Sequence, residues 1–365
     1  MSLGVLHVVD SMSAEAGSIA ISLRGLFAAL AARDVRSDVL VAEPAGASDA
    51  DTEKQGYVIH YADGASIRSL VAQCDLIHLH GWDGGATART VAKAARARQK
   101  PYILSPLGGL CPNASAVKSW KQRICARFFD GGLIQAAAAI TAVNDVEADH
   151  LTRERGLTPV TVLPYGLDFS TYQGDADPQS QAPPRADQRC LLLMAPLAPW
   201  AGQALLLKSF AEIGAGADGW HVLLAGSDRG HWRSPLEAAI RRKGGSDRVT
   251  FDEAPDEPAQ RALMARASLI VAPSMHVGHC VSALQAMAGQ VPVLVSDRIA
   301  PPALNGCVEV FPPTRNDLKR ALRTYLGFSD GELRVRATRA HEAARNTYDW
   351  PHLVKRYHDL YRGLR

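Results

Sequence analysis

His276, His279 and Cys280 stand close together in the chain, and all three are residue types that ligate metals. A tetrahedral zinc site needs a fourth ligand or an open water position backed by three firm ones. No fourth ligand accompanies this group, so the residues read as a loop running into a helix, and no metal is expected. Gly17 and Ser18 precede a helical pattern, where exposed backbone N–H groups can meet an anion. Gly202 and Gly226 read as turn or close-approach positions, which the fold would need with or without a ligand. Between Val117 and Phe128, Trp120, Ile124 and Phe128 recur every fourth residue beside Lys118, Lys121, Arg123 and Arg127. That pattern suits either a membrane-surface helix or an ordinary amphipathic helix with solvated charges.

The elements that must carry these residues alternate in type. Apolar runs at Gly4 to Asp10, Val39 to Ala42, Val58 to Tyr61, Leu76 to Leu79, Tyr102 to Leu104, Ala139 to Ala142 and Val160 to Leu163 read as strands. Helical spacing fills gaps between them, at Ser18 to Arg33, Ala86 to Arg98 and Val117 to Ala137. Parallel strands need helical crossovers, so this rhythm predicts a doubly wound parallel sheet. Residues 173–189 are polar, contain Pro178, Pro183 and Pro184, and read as a linker.

The rhythm then restarts. Strands are expected at Cys190 to Met194, Trp220 to Ala225, Arg248 to Phe251, Ser268 to Ala272 and Val291 to Val295, with a helix over Gly202 to Ile213. The chain therefore divides into an N-terminal α/β domain (1–172), the linker, a C-terminal α/β domain (190–347) and a closing segment (348–365). In that segment an amphipathic helix starts at Trp350 with Pro351 just inside it. Two such domains place a ligand cleft at the carboxyl ends of their strands. A length of 365 residues suits two cores rather than one.

Composition narrows the function class. Apolar residues make up 47% and charged residues 21%, as in a soluble globular protein, and the formal charge of +3 offers no basic stripe for nucleic acid. No apolar run reaches the roughly 18 residues of a membrane span, and the N-terminus lacks a signal pattern, so a cytoplasmic location is expected. The six cysteines are scattered without a CxxC pair and read as free thiols.

Several segments resemble family 4 retaining glycosyltransferases. These are Asp75-Leu-Ile-His-Leu-His-Gly81, Ser105-Pro-Leu-Gly-Gly109, the helix with Trp120, Lys121 and Arg123, and Pro164-Tyr-Gly-Leu-Asp168 in the first half. The second half adds Trp220-His-Val-Leu-Leu-Ala-Gly226, Arg248-Val-Thr-Phe251, Ala267-Ser-Leu-Ile-Val-Ala-Pro-Ser274, Gln285-Ala-Met-Ala-Gly-Gln-Val-Pro-Val293 and Tyr348-Asp-Trp350. Together, in order and spacing, they cover nearly the whole chain. The resemblance implies a GT-B fold, two Rossmann-like domains facing across a cleft, with the last helix returning to the N-terminal domain. It also implies a nucleotide diphosphate sugar as donor, a glycan or lipid-linked acceptor, polysaccharide or cell-envelope synthesis, and no metal. His80 and Trp82 fall on the acceptor side, although His80 could equally satisfy a backbone group; His78 reads as structural. A membrane-facing Val117 to Phe128 would make the protein peripheral at the inner membrane face.

The departures lie where the donor would sit. The family's Gly-Arg-Leu-x-Pro-x-Lys-Gly reads Ala195-Pro-Leu-Ala-Pro-Trp-Ala-Gly202 here, so the phosphate-binding cations are Pro196 and Ala201. The two glutamates fall on Val277 and Gln285, with Gly278, His279 and Cys280 between them. The histidine after Ser-Pro is Leu107, followed by Gly108, and the asparagine before Gly166 is Tyr165. None of the family's catalytic charges is intact. Each charge-assisted hydrogen bond contributes roughly 1.5 to 3 kcal/mol, so losing both cations removes about 3 to 6 kcal/mol. That is a roughly hundred-fold to twenty-thousand-fold loss of affinity. Two readings stay open. One is a glycosyltransferase that replaces the cations with Lys208, Arg229 or Arg298; the other is a degenerate relative that binds glycan or an active sister glycosyltransferase. A sugar-nucleotide epimerase of similar fold is a third, weaker reading.

Overall fold

The computed structural model describes residues 2–12, 18–42, 56–82, 85–111, 131–172, 188–228, 230–242, 247–254, 256–279, 281–300, 304 and 306–365. It splits into two compact units. Unit 1 comprises Met1–Gly166, Val277–His279 and Trp350–Arg365, and unit 2 comprises Leu167–His276 and Cys280–Asp349.

Unit 1 is built on seven strands: β1 (Leu3–Val9), β2 (Val35–Val41), β3 (Tyr57–Tyr61), β4 (Leu76–His80), β5 (Tyr102–Ser105), β6 (Ala139–Ala142) and β7 (Val160–Val162). Their order is β3-β2-β1-β4-β5-β6-β7, and every neighbouring pair is parallel. β1 is buried over its whole length, which explains its continuous apolar sequence. Val5 and Val9 enter the core on one face, with Leu23, Leu26 and Phe27 of helix α1 (Ser18–Ala31). Leu6 and Val8 enter the core on the other face. There they meet Ile67 and Val71 of helix α2 (Gly64–Gln73) and Val91 and Ala95 of helix α3 (Ala86–Ala97).

The last helix of the chain, α12 (Trp350–Gly363), belongs to unit 1 and buries Trp350, Leu353, Val354, Tyr357 and Tyr361 in the α1-side core. Gly25 of α1 lies directly under the Trp350 indole, where any Cβ would collide with the ring.

Unit 2 repeats the plan with six strands: β8 (Arg189–Met194), β9 (Trp220–Ala225), β10 (Val249–Asp252), β11 (Leu269–Ala272), β12 (Val293–Ser296) and β13 (Glu309–Phe311). The order is β10-β9-β8-β11-β12-β13, again parallel throughout. The two doubly wound sheets match the architecture expected from the strand-helix rhythm.

The differences are local. β2 begins at Val35, earlier than expected, because the turn closes at Asp34 with φ 57°. Helix α2 was not anticipated, since only Ile67, Leu70 and Val71 of its ten residues are buried and its start rests on Asp63 accepting from Ala65 and Ser66 N–H. Strand β13 was missed because three residues with one fully buried side chain give no periodicity. Of the helix expected over Val117 to Ala137, only Gly131–Gln135 is seen; residues 112–130, with Trp120 and the basic side chains, lie outside the described residues. Residues 173–187 of the expected linker lie outside them too.

Candidate functional site

In unit 2 the loops after β8, β9 and β11 gather at the carboxyl ends of the strands. Leu197 N–H donates to the Ser227 carbonyl at 2.9 Å, tying the first loop to the second. Met275 N–H donates to the Trp200 carbonyl at 2.8 Å, tying the third to the first. Two glycines permit this approach. Gly202, at φ 89°, faces the Pro273 carbonyl, and Gly226, at φ 149°, faces the Ala195 carbonyl; a Cβ at either would collide with that oxygen.

Pro196 stands exposed on the first loop, whereas Ala201 is buried. Gln203, at the start of helix α6 (Gln203–Ala211), is also buried. Its Nε2 donates to the Pro196 carbonyl at 2.9 Å, and its Oε1 has no partner. Trp200 stacks on His276, with ring centroids 5.4 Å apart and planes inclined by 17°. Burial lowers the His276 pKa, so the ring is neutral near pH 7.

Gln285, on helix α9 (Val281–Ala288), is fully buried. Its Nε2 donates to the Tyr172 hydroxyl at 2.8 Å. That phenol has its pKa raised by burial, so it stays protonated. Of the cations considered as replacements, Lys208 lines an apolar groove of about 410 Å³ with Leu207, Phe210 and Ile240, and Arg298 pairs with Asp297 at 3.5 Å. Arg229 lies outside the described residues, as do Gly17 and Cys280. Ser18 opens α1.

The remaining candidates sit in unit 1. Leu107 and Gly108 both take positive φ, 55° and 80°. Gly108 N–H donates to Glu147 Oε1 at 2.6 Å, and Val143 N–H donates to Glu147 Oε2 at 2.8 Å. Glu147 is completely buried, and desolvation raises its pKa while the two backbone donors pull it down. Val277, Gly278 and His279 also belong to unit 1. The Gly278 carbonyl accepts from Asn144 Nδ2 at 3.1 Å. A Cβ on Gly108 would meet the Val277 carbonyl, and burial lowers the His279 pKa to about 4.

His80 and Trp82 are both buried. His80 belongs to a polar network that the sequence did not reveal. His7 and His78 are paired across β1 and β4, and ring nitrogens of His7, His78 and His80 lie within 4.8 Å of one another. That spacing could hold a cation, but the nitrogens of His78 and His80 are already committed. His7 Nδ1 meets His80 Nε2 at 2.9 Å, and His80 Nδ1 meets the Tyr165 hydroxyl. His78 bonds Ser105 Oγ through Nε2 at 2.6 Å and the Tyr361 hydroxyl through Nδ1 at 2.7 Å. Desolvation holds His78 down at about 3 and His7 and His80 well below the usual histidine value. Three neutral rings therefore form the network.

Two family descriptions match the chain: a glycosyl transferase 4-like domain over residues 17–166 and glycosyl transferases group 1 over residues 176–340. The GDP-mannose:cellobiosyl-diphosphopolyprenol alpha-mannosyltransferase of Xanthomonas oryzae pv. oryzae (strain PXO99A) is 26% identical over 348 residues, covering 90% of this chain and 86% of that protein. Among solved structures, Anabaena Alr3699/HepE in complex with UDP-glucose superposes with a TM-score of 0.79 at 17% identity, over 99% of this chain and 100% of that one. Sucrose-phosphate synthase from Thermosynechococcus elongatus gives a TM-score of 0.77 at 19% identity, over 99% of both chains. At these identities the structural likenesses speak for the fold.

Proposed function

Because the chain belongs to the family 4 glycosyltransferases of GT-B architecture, we propose that it transfers a hexosyl group from a nucleotide diphosphate sugar to a lipid-linked saccharide. The acceptor hydroxyl oxygen forms the new bond to the anomeric carbon, the bond from that carbon to the diphosphate breaks with its electron pair, and the hydroxyl proton passes to the departing diphosphate. The reading is carried by the close packing of the three loops of unit 2 through Gly202 and Gly226, at the carboxyl ends of the strands, where open α/β sheets bind their ligands. It is supported by the relative whose name specifies a GDP-mannose donor and a diphosphopolyprenol acceptor. No helix among the described residues is long and apolar enough to cross a membrane. Incubation with GDP-mannose or UDP-glucose and a polyprenyl-diphosphate disaccharide should yield a product one hexose heavier by mass spectrometry. Absence of product with every donor would reject transfer.

A second reading keeps the fold without the chemistry, as a glycan-binding protein or a subunit of an active sister enzyme. The commitment of Gln285 to Tyr172 and the buried methyl of Ala201 favour it, since neither position presents a charge to a donor.

A further inference from the structure

The loops of unit 2 that would meet the donor carry aromatic surface where charge was expected. Trp200 sits between Pro199 and Ala201 on the loop after β8, with its ring stacked on His276 from the loop after β11. The pair is braced from behind. The Met275 N–H holds the Trp200 carbonyl at 2.8 Å, and Ser274 Oγ both donates to the His276 carbonyl at 3.0 Å and accepts from its N–H at 3.3 Å. Four large apolar side chains stand exposed among the described residues, and two of them, Trp232 at 37% and Met275 at 42%, lie on these same loops. Trp232 is anchored there by its N–H donating to Asp228.

A surface of this kind suits one chemistry. A pyranose ring has an apolar C–H face that can lie on an aromatic plane, and hydroxyls around its edge that need polar partners. The loop is held from beneath by Gln203. Gln203 is buried, its amide is turned against the loop by the bond to Pro196, and its Oε1 lacks a donor. His276 is neutral, so the platform brings no charge to a phosphate.

We propose that Trp200, braced by His276, is a stacking platform for the hexosyl ring of the donor, so that unit 2 grips the sugar rather than the diphosphate. This rests on the donor reading above but not on transfer. Selection then falls on the sugar. A bare nucleotide diphosphate should bind poorly, the sugar nucleotide better, and the difference should be insensitive to salt, because stacking is not screened as ion pairing is.

The test compares GDP with GDP-mannose, UDP with UDP-glucose, and guanosine alone, by isothermal titration of the intact chain. The sugar nucleotide of at least one pair should bind about tenfold more tightly than its diphosphate, or roughly 1.4 kcal/mol. Trp200→Ala should bring that ratio near unity without altering diphosphate binding, and Trp200→Phe should keep part of it. Circular dichroism and thermal melting would establish that each variant is folded. Equal binding of both members of each pair, a ratio unchanged in Trp200→Ala, or loss of guanosine binding in that variant would each overturn the proposal. Sugar-dependent binding through Trp200 without any product would sink transfer and leave the platform standing.

Discussion

The Tyr361 hydroxyl meets His78 Nδ1 at 2.7 Å, joining residues 283 positions apart. The bond fastens α12 to the centre of the unit 1 sheet, and through Ser105 it connects with Thr141 on β6. A Tyr357 hydroxyl donating to the Pro164 carbonyl at 3.0 Å adds a second fixed point.

Removing that first bond leaves a buried imidazole nitrogen without its partner. Tyr361→Phe should therefore cost about 1 to 3 kcal/mol of stability. Urea denaturation monitored by tryptophan fluorescence would measure it, and an unchanged midpoint would show that water replaces the hydroxyl.

Gly25 makes an opposite demand on helix α1. Glycine inside an exposed helix costs about 1 kcal/mol relative to alanine, so Gly25→Ala would ordinarily stabilise. Here the new methyl would overlap the Trp350 indole. We expect Gly25→Ala to lower the melting temperature of unit 1, and Gly25→Ala with Trp350→Phe to recover part of the loss.

The pH dependence follows from the same core. His7, His78 and His80 have folded pKa values depressed below the unfolded value of about 6.5, so the unfolded chain binds more protons below that pH. Stability is whole above about pH 6.5 and falls as pH drops, by up to about 2 kcal/mol per histidine by pH 5. Glu147, whose pKa is raised, acts in the opposite sense, but nearer the carboxylate range. Urea midpoints measured from pH 7.5 to pH 5 should decline, and His7→Leu, which also removes the unpartnered Nε2, should flatten the decline.

Much of the scaffold could be read from the sequence because buried parallel strands are written as continuous apolar runs, as in Leu3–Val9 and Leu269–Ala272. The network around His80 could not. A single histidine in an apolar strand, His7, carries no spacing signal; its partner His80 lies on β4, and the hydroxyls that hold His78 and His80 come from β5, the segment after β7 and the last helix. Glu147 was equally silent, because its value lies in two backbone donors brought from Gly108 and Val143. Tyr165 stood out only as a departure from a resembled asparagine, whereas the fold uses its hydroxyl to hold His80. Pro196 and Ala201 were legible as missing cations, but not the burial of one and the exposure of the other.

That asymmetry shapes the repair experiment. Pro196→Arg places its side chain at an exposed position, while Ala201→Lys must lead an amine out of a buried one. The double variant should bind nucleotide diphosphates at least about tenfold more tightly, since one restored charge-assisted contact contributes over roughly 1.4 kcal/mol. Gln285→Glu alone should destabilise unit 2, because it places a carboxylate at a fully buried position.

The central claim is that this GT-B chain keeps the loop geometry of a donor site without its cations at residues 196 and 201. Titration of UDP and GDP into the purified protein tests it most directly. The loss of about 3 to 6 kcal/mol estimated for the two cations predicts dissociation constants near millimolar or weaker. Micromolar binding of either nucleotide would contradict the account and show that other cations neutralise the diphosphate.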